Sequence, residues 1–482
     1  MLEWPTLWPC DRLRKKVALL SYVLKYLHYR CYADPPKLYK QDDPVTAQLL
    51  AKCSLLRSLF VLIRQLTRCC VVQAYHPTWY LFNGHLQTLM VAVGCAQPEV
   101  EYSREILHLS DGGIVSLDWA LRPDGARFAH DHPTVLLLHG LTGGSSELYI
   151  RVTAAKLMAS GWRVVVMNAR GCADTPVVTA KLFCAAYTQD LREAVRYLRE
   201  TQVPTAALVA GGFSLGSNIL LKYVGEEGAG CLLSGAVSVG NPYDLLASNR
   251  NLMHSRLHNL LYREALTSNL LRLFFEKSNA HEHFKSHPVV DLDRLRAAAS
   301  VWEFDDRLTR HVFGYATVSD YYRDASCSQY LKGVRIPTLC LTAADDPISI
   351  HTAIPDDDCA ANRHILLAVT EKGGHLGFFT GGDVCEFPDM WASNVFVQFC
   401  NAVDELVVGA PPAPEAHSVY RRLFRVGTKE DVEAKPTPEE VATTDQPSMS
   451  PLPWAAAVLV CLFARAAYER RDVLRGKRRW WY

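Results

Sequence analysis

The stretch Gly212-Phe213-Ser214-Leu215-Gly216 constrains this chain more than any other. An apolar run, Ala206-Ala207-Leu208-Val209-Ala210, leads into it, and a helix-like segment, Ser217-Asn218-Ile219-Leu220-Leu221-Lys222-Tyr223, leads out. Strand, G-x-S-x-G, helix is the setting of a tight turn that lifts a serine hydroxyl above the end of a strand. Glycine on either side matters because a side chain there would crowd the turn. The hydroxyl then stands over a helix N-terminus, whose unpaired N–H groups favour negative charge. A pentamer of this form also arises by chance in a chain with 28 glycines, so the rest of the chain must supply an acid, a histidine and an oxyanion pocket.

The segments around the turn alternate in character. Pro133 to Leu138, Trp162 to Met167, Ala206 to Ala210, Leu232 to Val239, Thr338 to Thr342 and His364 to Val369 are short, nearly continuous apolar runs. Between them, Glu147 to Gly161 and Thr188 to Thr201 read as helices. Apolar strands separated by helices predict βαβ units and a parallel sheet buried on both faces. A mostly helical insertion at about 241–330 interrupts the alternation, and its stretch Ala265 to Phe275 is apolar enough to line a pocket.

The two ends of the 482-residue chain differ from this middle part. Residues 1–75 hold two runs, Val17 to Tyr29 and Leu55 to Val72, in which Lys25, Arg57, Arg64 and Arg68 interrupt Leu, Val, Phe and Tyr. Both fit amphipathic helices with a basic edge, suited either to a membrane surface or to packing on the domain. Residues 406–451 are rich in Pro, Glu, Thr and Ser, the composition of a linker. Residues 452–482 begin with the apolar Leu452 to Ala464, shorter than the about 20 residues of a membrane span. A basic, aromatic tail ending Trp480-Trp481-Tyr482 follows, suited to a membrane interface. The domain organisation expected is therefore 1–75, 76–405 with the insertion, 406–451 and 452–482, with a possible anchor at the end.

A formal net charge of +1 gives no whole-surface attraction for nucleic acid. The 15 cysteines are scattered without a C-x-x-C pair, which argues against a disulfide scaffold or a zinc ribbon and for free thiols in a reducing compartment. No metal or organic cofactor is expected.

Where such a turn carries a nucleophile, an acid and then a histidine follow it along the chain. The strand Thr338 to Thr342 runs into Ala344-Asp345-Asp346-Pro347, and Asp346 is the acid expected there, with Asp345 as the alternative. The next strand leads to Gly373-Gly374-His375-Leu376-Gly377. His375 can take the Ser214 proton and return it to a leaving group, while the acid fixes its tautomer. The N–H of Leu215 is one oxyanion donor. The loop His139-Gly140-Leu141-Thr142-Gly143 supplies the other through Leu141. That loop lacks the lysine and spacing of a phosphate cradle, and no G-x-G-x-x-G follows the first strand.

Taken together, these motifs resemble the YheT-like, embryogenesis-associated branch of the α/β hydrolases, which includes the mammalian α/β-hydrolase-domain proteins 1, 2 and 3. The matching residues are Asn83-Gly84-His85-Leu86-Gln87-Thr88, His139 to Gly143, Asn168-Ala169-Arg170-Gly171, Gly212 to Asn218, Glu303-Phe304-Asp305-Asp306, Asp320-Tyr321-Tyr322, Ala344 to Pro347 and Gly373 to Phe378. The resemblance covers about 76–402. It implies an α/β-hydrolase fold with a helical lid and a serine hydrolase of medium- or long-chain lipid esters, working through Ser214, Asp346 and His375. Relatives often carry an N-terminal membrane anchor, where this chain has instead an apolar segment at its end; with the free thiols, the expectation is a membrane-associated, intracellular protein, with the endoplasmic reticulum as one compartment. Acyl transfer to an alcohol and a non-catalytic scaffold keeping the fold are the alternatives. Ser217 stands where the family usually has glycine, and no H-x-x-x-x-D follows His375.

Overall fold

The computed structural model describes residues 37–40, Lys52 and 75–405, apart from 95–97, 123, 126–127, 255–258 and 383–386. The sequence readings for the linker at 406–451, the segment at 452–482 and most of residues 1–75 lie outside the described residues.

Among the described residues nine strands form one sheet: β1 (Lys37–Tyr39), β2 (Tyr102–His108), β3 (Ile114–Ala120), β4 (Thr134–Leu138), β5 (Arg163–Asn168), β6 (Leu208–Phe213), β7 (Gly235–Val239), β8 (Thr338–Ala343) and β9 (Ile365–Thr370). Their order is β1-β9-β8-β7-β6-β4-β5-β3-β2. Strands β4 to β9 run parallel, and β1, β2 and β3 pair antiparallel to their neighbours. The parallel part is apolar on both faces because helices cover both. Helices Leu148–Ala159 and Trp391–Val403 pack on one face, and Gln189–Tyr197 and Leu215–Glu227 on the other. Edge strand β2 is different: its residues alternate between half-buried and exposed along most of its length.

The strand β1 lies within the part read from sequence as a separate N-terminal segment. Lys37, Leu38 and Tyr39 pair with Val369, Ala368 and Leu367 of β9, so at least this piece of the first 75 residues belongs to the hydrolase sheet. Two short strands, β10 (Phe379–Thr380) and β11 (Asp389–Met390), make a separate ribbon beyond β9.

The insertion between β7 and β8 carries helices Leu245–His254, Glu264–Arg272 and Val318–Ala325 among shorter turns. Leu270, Phe274, Phe284 and Phe304 form an apolar cluster there, joined by Val177 and Leu182 from the loop after β5. Among the described residues no helix is long and apolar enough to cross a membrane.

Candidate active site

Parallel strands place everything that follows them at one edge of the sheet. Ser214 follows β6, the aspartate pair follows β8, His375 follows β9, and the loop with Leu141 follows β4. Ser214 has φ +52° and ψ −117°, a strained backbone for a non-glycine residue, and the helix Leu215–Glu227 begins immediately after it. The turn is tight enough that a Cβ on Gly216 would stand 2.5 Å from the His139 carbonyl oxygen. Ser217, the departure from the family pattern, is fully buried, and its hydroxyl donates to the Ser214 carbonyl within the first helical turn.

The three side chains read from sequence meet in one line. Ser214 Oγ is 2.7 Å from His375 Nε2, and His375 Nδ1 is 2.8 Å from Asp346 Oδ2. A carboxylate only accepts, so Nδ1 carries the ring proton and Nε2 accepts from the serine hydroxyl. Asp346 is itself fixed, because its Oδ1 accepts the N–H groups of Ile348 and Ser349, each at 2.8 Å. Asp345 faces elsewhere and accepts the Gly374 N–H at 2.9 Å. Burial pushes its carboxyl up to about 6.

The His375 loop is held by residues whose role the sequence did not reveal. Thr88 Oγ1 accepts the His375 N–H at 2.8 Å and donates to the Gly84 carbonyl at 2.7 Å. Gln87 Oε1 accepts the Phe379 N–H at 2.9 Å. Both sit on the helix Gly84–Val93, which Asn83 caps by accepting the Leu86 N–H. The motif at 83–88 was visible in the sequence, but its partners are backbone groups more than 280 residues away.

The loop His139 to Gly143, expected from sequence to supply an oxyanion donor, is fixed by buried polar groups. His139 Nε2 accepts the Ala169 N–H at 3.1 Å, so its proton is on Nδ1, which donates to the Gly140 carbonyl at 2.7 Å. Burial lowers the affinity of this ring for a second proton. The Gly143 N–H donates to the same carbonyl at 3.1 Å. Carbonyl and N–H of a trans peptide point opposite ways. The Leu141 N–H therefore points away from this cluster, and Leu141 and Ser214 both border one cavity. Leu215 is the first residue of its helix, so no helical carbonyl reaches its N–H.

A family model for the alpha/beta hydrolase fold matches residues 133–382. The embryogenesis-associated protein EMB8 of Picea glauca is 33% identical over 357 residues, covering 73% of this chain and 77% of that one. The chain belongs to the α/β-hydrolase family. This α/β hydrolase is also 36% identical to phospholipase ABHD3 of Homo sapiens over 337 residues, 70% of its own length and 80% of the relative's. Monoacylglycerol lipase ABHD2 of Homo sapiens is 28% identical over 417 residues, 83% and 93% of the two chains.

The cavity of this α/β hydrolase has a volume of about 550 Å³. Ser214, His375, Leu141 and Leu215 border it, and Leu89, Leu182, Leu266, Leu270 and Leu273 give it apolar walls. Leu266, Leu270 and Leu273 come from the insertion, so part of the apolar stretch at 265–275 does line the pocket while Phe274 packs inside the insertion. Among the described residues no group of three or more His, Cys, Asp or Glu side chains is arranged to hold a metal ion.

Asp305 lies in the same wall, buried, with the Tyr322 hydroxyl donating to its Oδ2 at 2.8 Å. Loss of solvent raises its carboxyl to about 6 from 3.8, against the opposing hydrogen bonds of Thr309 and Tyr322. As pH rises from about 4 to about 6, the unfolded chain gives up this proton before the folded one, so this group makes the fold less stable across that window. Asp305→Asn has no such proton. Its stability relative to the native protein should rise by on the order of 3 kcal/mol between pH 4 and 6 and stay level above. Urea unfolding at four pH values checks this; a constant difference would contradict it.

Proposed function

We propose that this chain is a serine hydrolase that cleaves acyl esters of lipids through an acyl-enzyme. The observation that carries the reading is the hydrogen-bonded line Ser214–His375–Asp346 opening on an apolar cavity. His375 Nε2 takes the proton as Ser214 Oγ attacks the acyl carbonyl, and Asp346 stabilises the imidazolium that forms. The Leu141 and Leu215 N–H groups receive the oxyanion. The imidazolium protonates the departing alkoxide; the neutral ring then takes a proton from the attacking water and returns it to Ser214 Oγ as the acid leaves.

The lipid part of the reading is supported by the leucine-lined walls, which suit an acyl chain, and by relatives named as a phospholipase and monoacylglycerol lipases. A medium or long chain is proposed because a short ester would leave those walls wet. The catalytic unit spans 76–405 with β1 added. The basic amphipathic runs before residue 75 and the apolar, basic segment at 452–482 support attachment to an intracellular membrane surface.

A panel of glycerolipid and phospholipid esters with acyl chains of two to eighteen carbons tests the reading. Ser214-dependent release of fatty acid should rise by at least tenfold from the shortest to the medium or long chains, at about 0.8 kcal/mol per buried methylene. Equal rates for all lengths, or acyl product appearing only on an added alcohol, would overturn the substrate class or the choice of water as acceptor. Vesicle flotation of the full chain against one ending at residue 451 tests the attachment.

A further inference from the structure

A buried hydroxyl beside the oxyanion loop has no place in the scheme above. Tyr149 stands at the start of the helix Leu148–Ala159, and its ring packs on Phe213, the residue before the nucleophile, with centroids 5.0 Å apart. The side chain is 5% exposed and contributes to the wall of the Ser214 cavity. Its oxygen accepts the Gly140 N–H at 3.0 Å. A phenol also has one proton to give. Among the described residues that proton has no acceptor, since the bond from Gly140 uses a lone pair and leaves the O–H unspent.

The position of this hydroxyl is informative. A Cβ built on Gly140 would lie 3.1 Å from the Tyr149 oxygen and 3.4 Å from Ser214 Cβ, so the two side chains flank one point of the oxyanion loop. The same oxygen lies 3.1 Å from where a Cβ on Gly143 would be. Small residues at 140 and 143 thus leave room for the hydroxyl beside the loop, close to Ser214. Burial holds the phenol far above its ordinary value, so it stays a donor at any working pH.

We infer that Tyr149 is a further catalytic residue, its hydroxyl giving a third hydrogen bond to the acyl oxygen as negative charge develops there. This rests on the reading of Ser214 as the nucleophile. No proton is transferred by Tyr149: the O–H bond persists through the cycle, and the contribution is stabilisation of charge by a fixed donor. Accepting from Gly140 polarises the O–H and makes it a stronger donor, while the same bond steadies the loop.

Tyr149→Phe and a ring-fluorinated tyrosine at 149 test the inference, with Ser214→Ala alongside. Phenylalanine should lower kcat for a fatty-acyl ester by about 10²-fold, with KM changed by less than about threefold. Ring fluorine makes the phenol a better donor and a poorer acceptor, so that variant should match or exceed the native kcat. If the fluorinated variant instead falls with Tyr149→Phe, the hydroxyl serves only as a clamp on Gly140 and the inference fails. It fails equally if Tyr149→Phe keeps kcat within about threefold. Should phenylalanine disturb the fold, seen as a lowered melting temperature, the fluorinated variant, which keeps the native shape, decides alone. Retention of hydrolysis by Ser214→Ala would overturn the parent reading, a result distinct from either outcome at Tyr149.

Discussion

Ser214→Ala is expected to lower kcat by on the order of 10⁶-fold and to abolish covalent labelling by a fluorophosphonate. The change removes one oxygen from a residue whose backbone is already set, at φ +52°, by the strand before it and the helix after it. The fold should therefore survive, with a melting temperature close to the native one. What is lost is the oxygen 2.7 Å from His375 Nε2 that is proposed to form the acyl-enzyme. Rate that persists would come from the N–H groups of Leu141 and Leu215 holding the carbonyl for attack by water. Labelling of the alanine variant, or an unchanged kcat, would remove Ser214 from the chemistry.

The neighbouring aspartates should separate by orders of magnitude. In Asp346→Asn the amide oxygen stays on the N–H groups of Ile348 and Ser349, which turns the NH₂ toward His375 Nδ1. That donor forces the ring proton onto Nε2, where it faces Ser214 and can no longer accept the hydroxyl proton. A fall in kcat of about 10⁴-fold is expected. Asp345→Asn keeps an oxygen for the Gly374 N–H and does not touch the ring, so its kcat should stay within about tenfold of the native value. Steady-state kinetics of the two variants on one ester decide the matter, and a greater loss at 345 than at 346 would refute the assignment.

The fold was legible wherever burial on both faces of a sheet leaves an unbroken apolar run. Strands β4, β5, β8 and β9 were read within a residue or two of their bounds for that reason. Strand β6 runs three residues past the apolar run read from sequence, through Gly211 and Gly212, which pair with β4 on one side and β7 on the other. Strands β2 and β3 escaped notice. The second hides a buried Asp118, whose charge is met by Arg104, Ser145 and Asn168, contacts that no local pattern announces.

At the candidate site, chain order was enough to single out Ser214, Asp346 and His375, because parallel strands deliver their C-terminal loops to one edge. That Asp346 and not Asp345 meets the His375 ring is a matter of geometry, since adjacent side chains leave the backbone in different directions. What Thr88 and Tyr149 bind was not legible for another reason. Each acts on a backbone N–H, and a backbone group has no residue identity for a sequence pattern to match.

The three residues of β1 have a consequence out of proportion to their length. They cap β9, the last parallel strand, on the flank that would otherwise present unpaired N–H and C=O groups to solvent. Bare strand flanks template self-association, and β9 is almost wholly apolar. A fragment begun at residue 76, the boundary that composition alone suggests, would keep every group that lines the site and still uncover a sticky ribbon at Ile365–Thr370. Residues 37–39 thus occupy the flank on which a strand of a second copy could otherwise add.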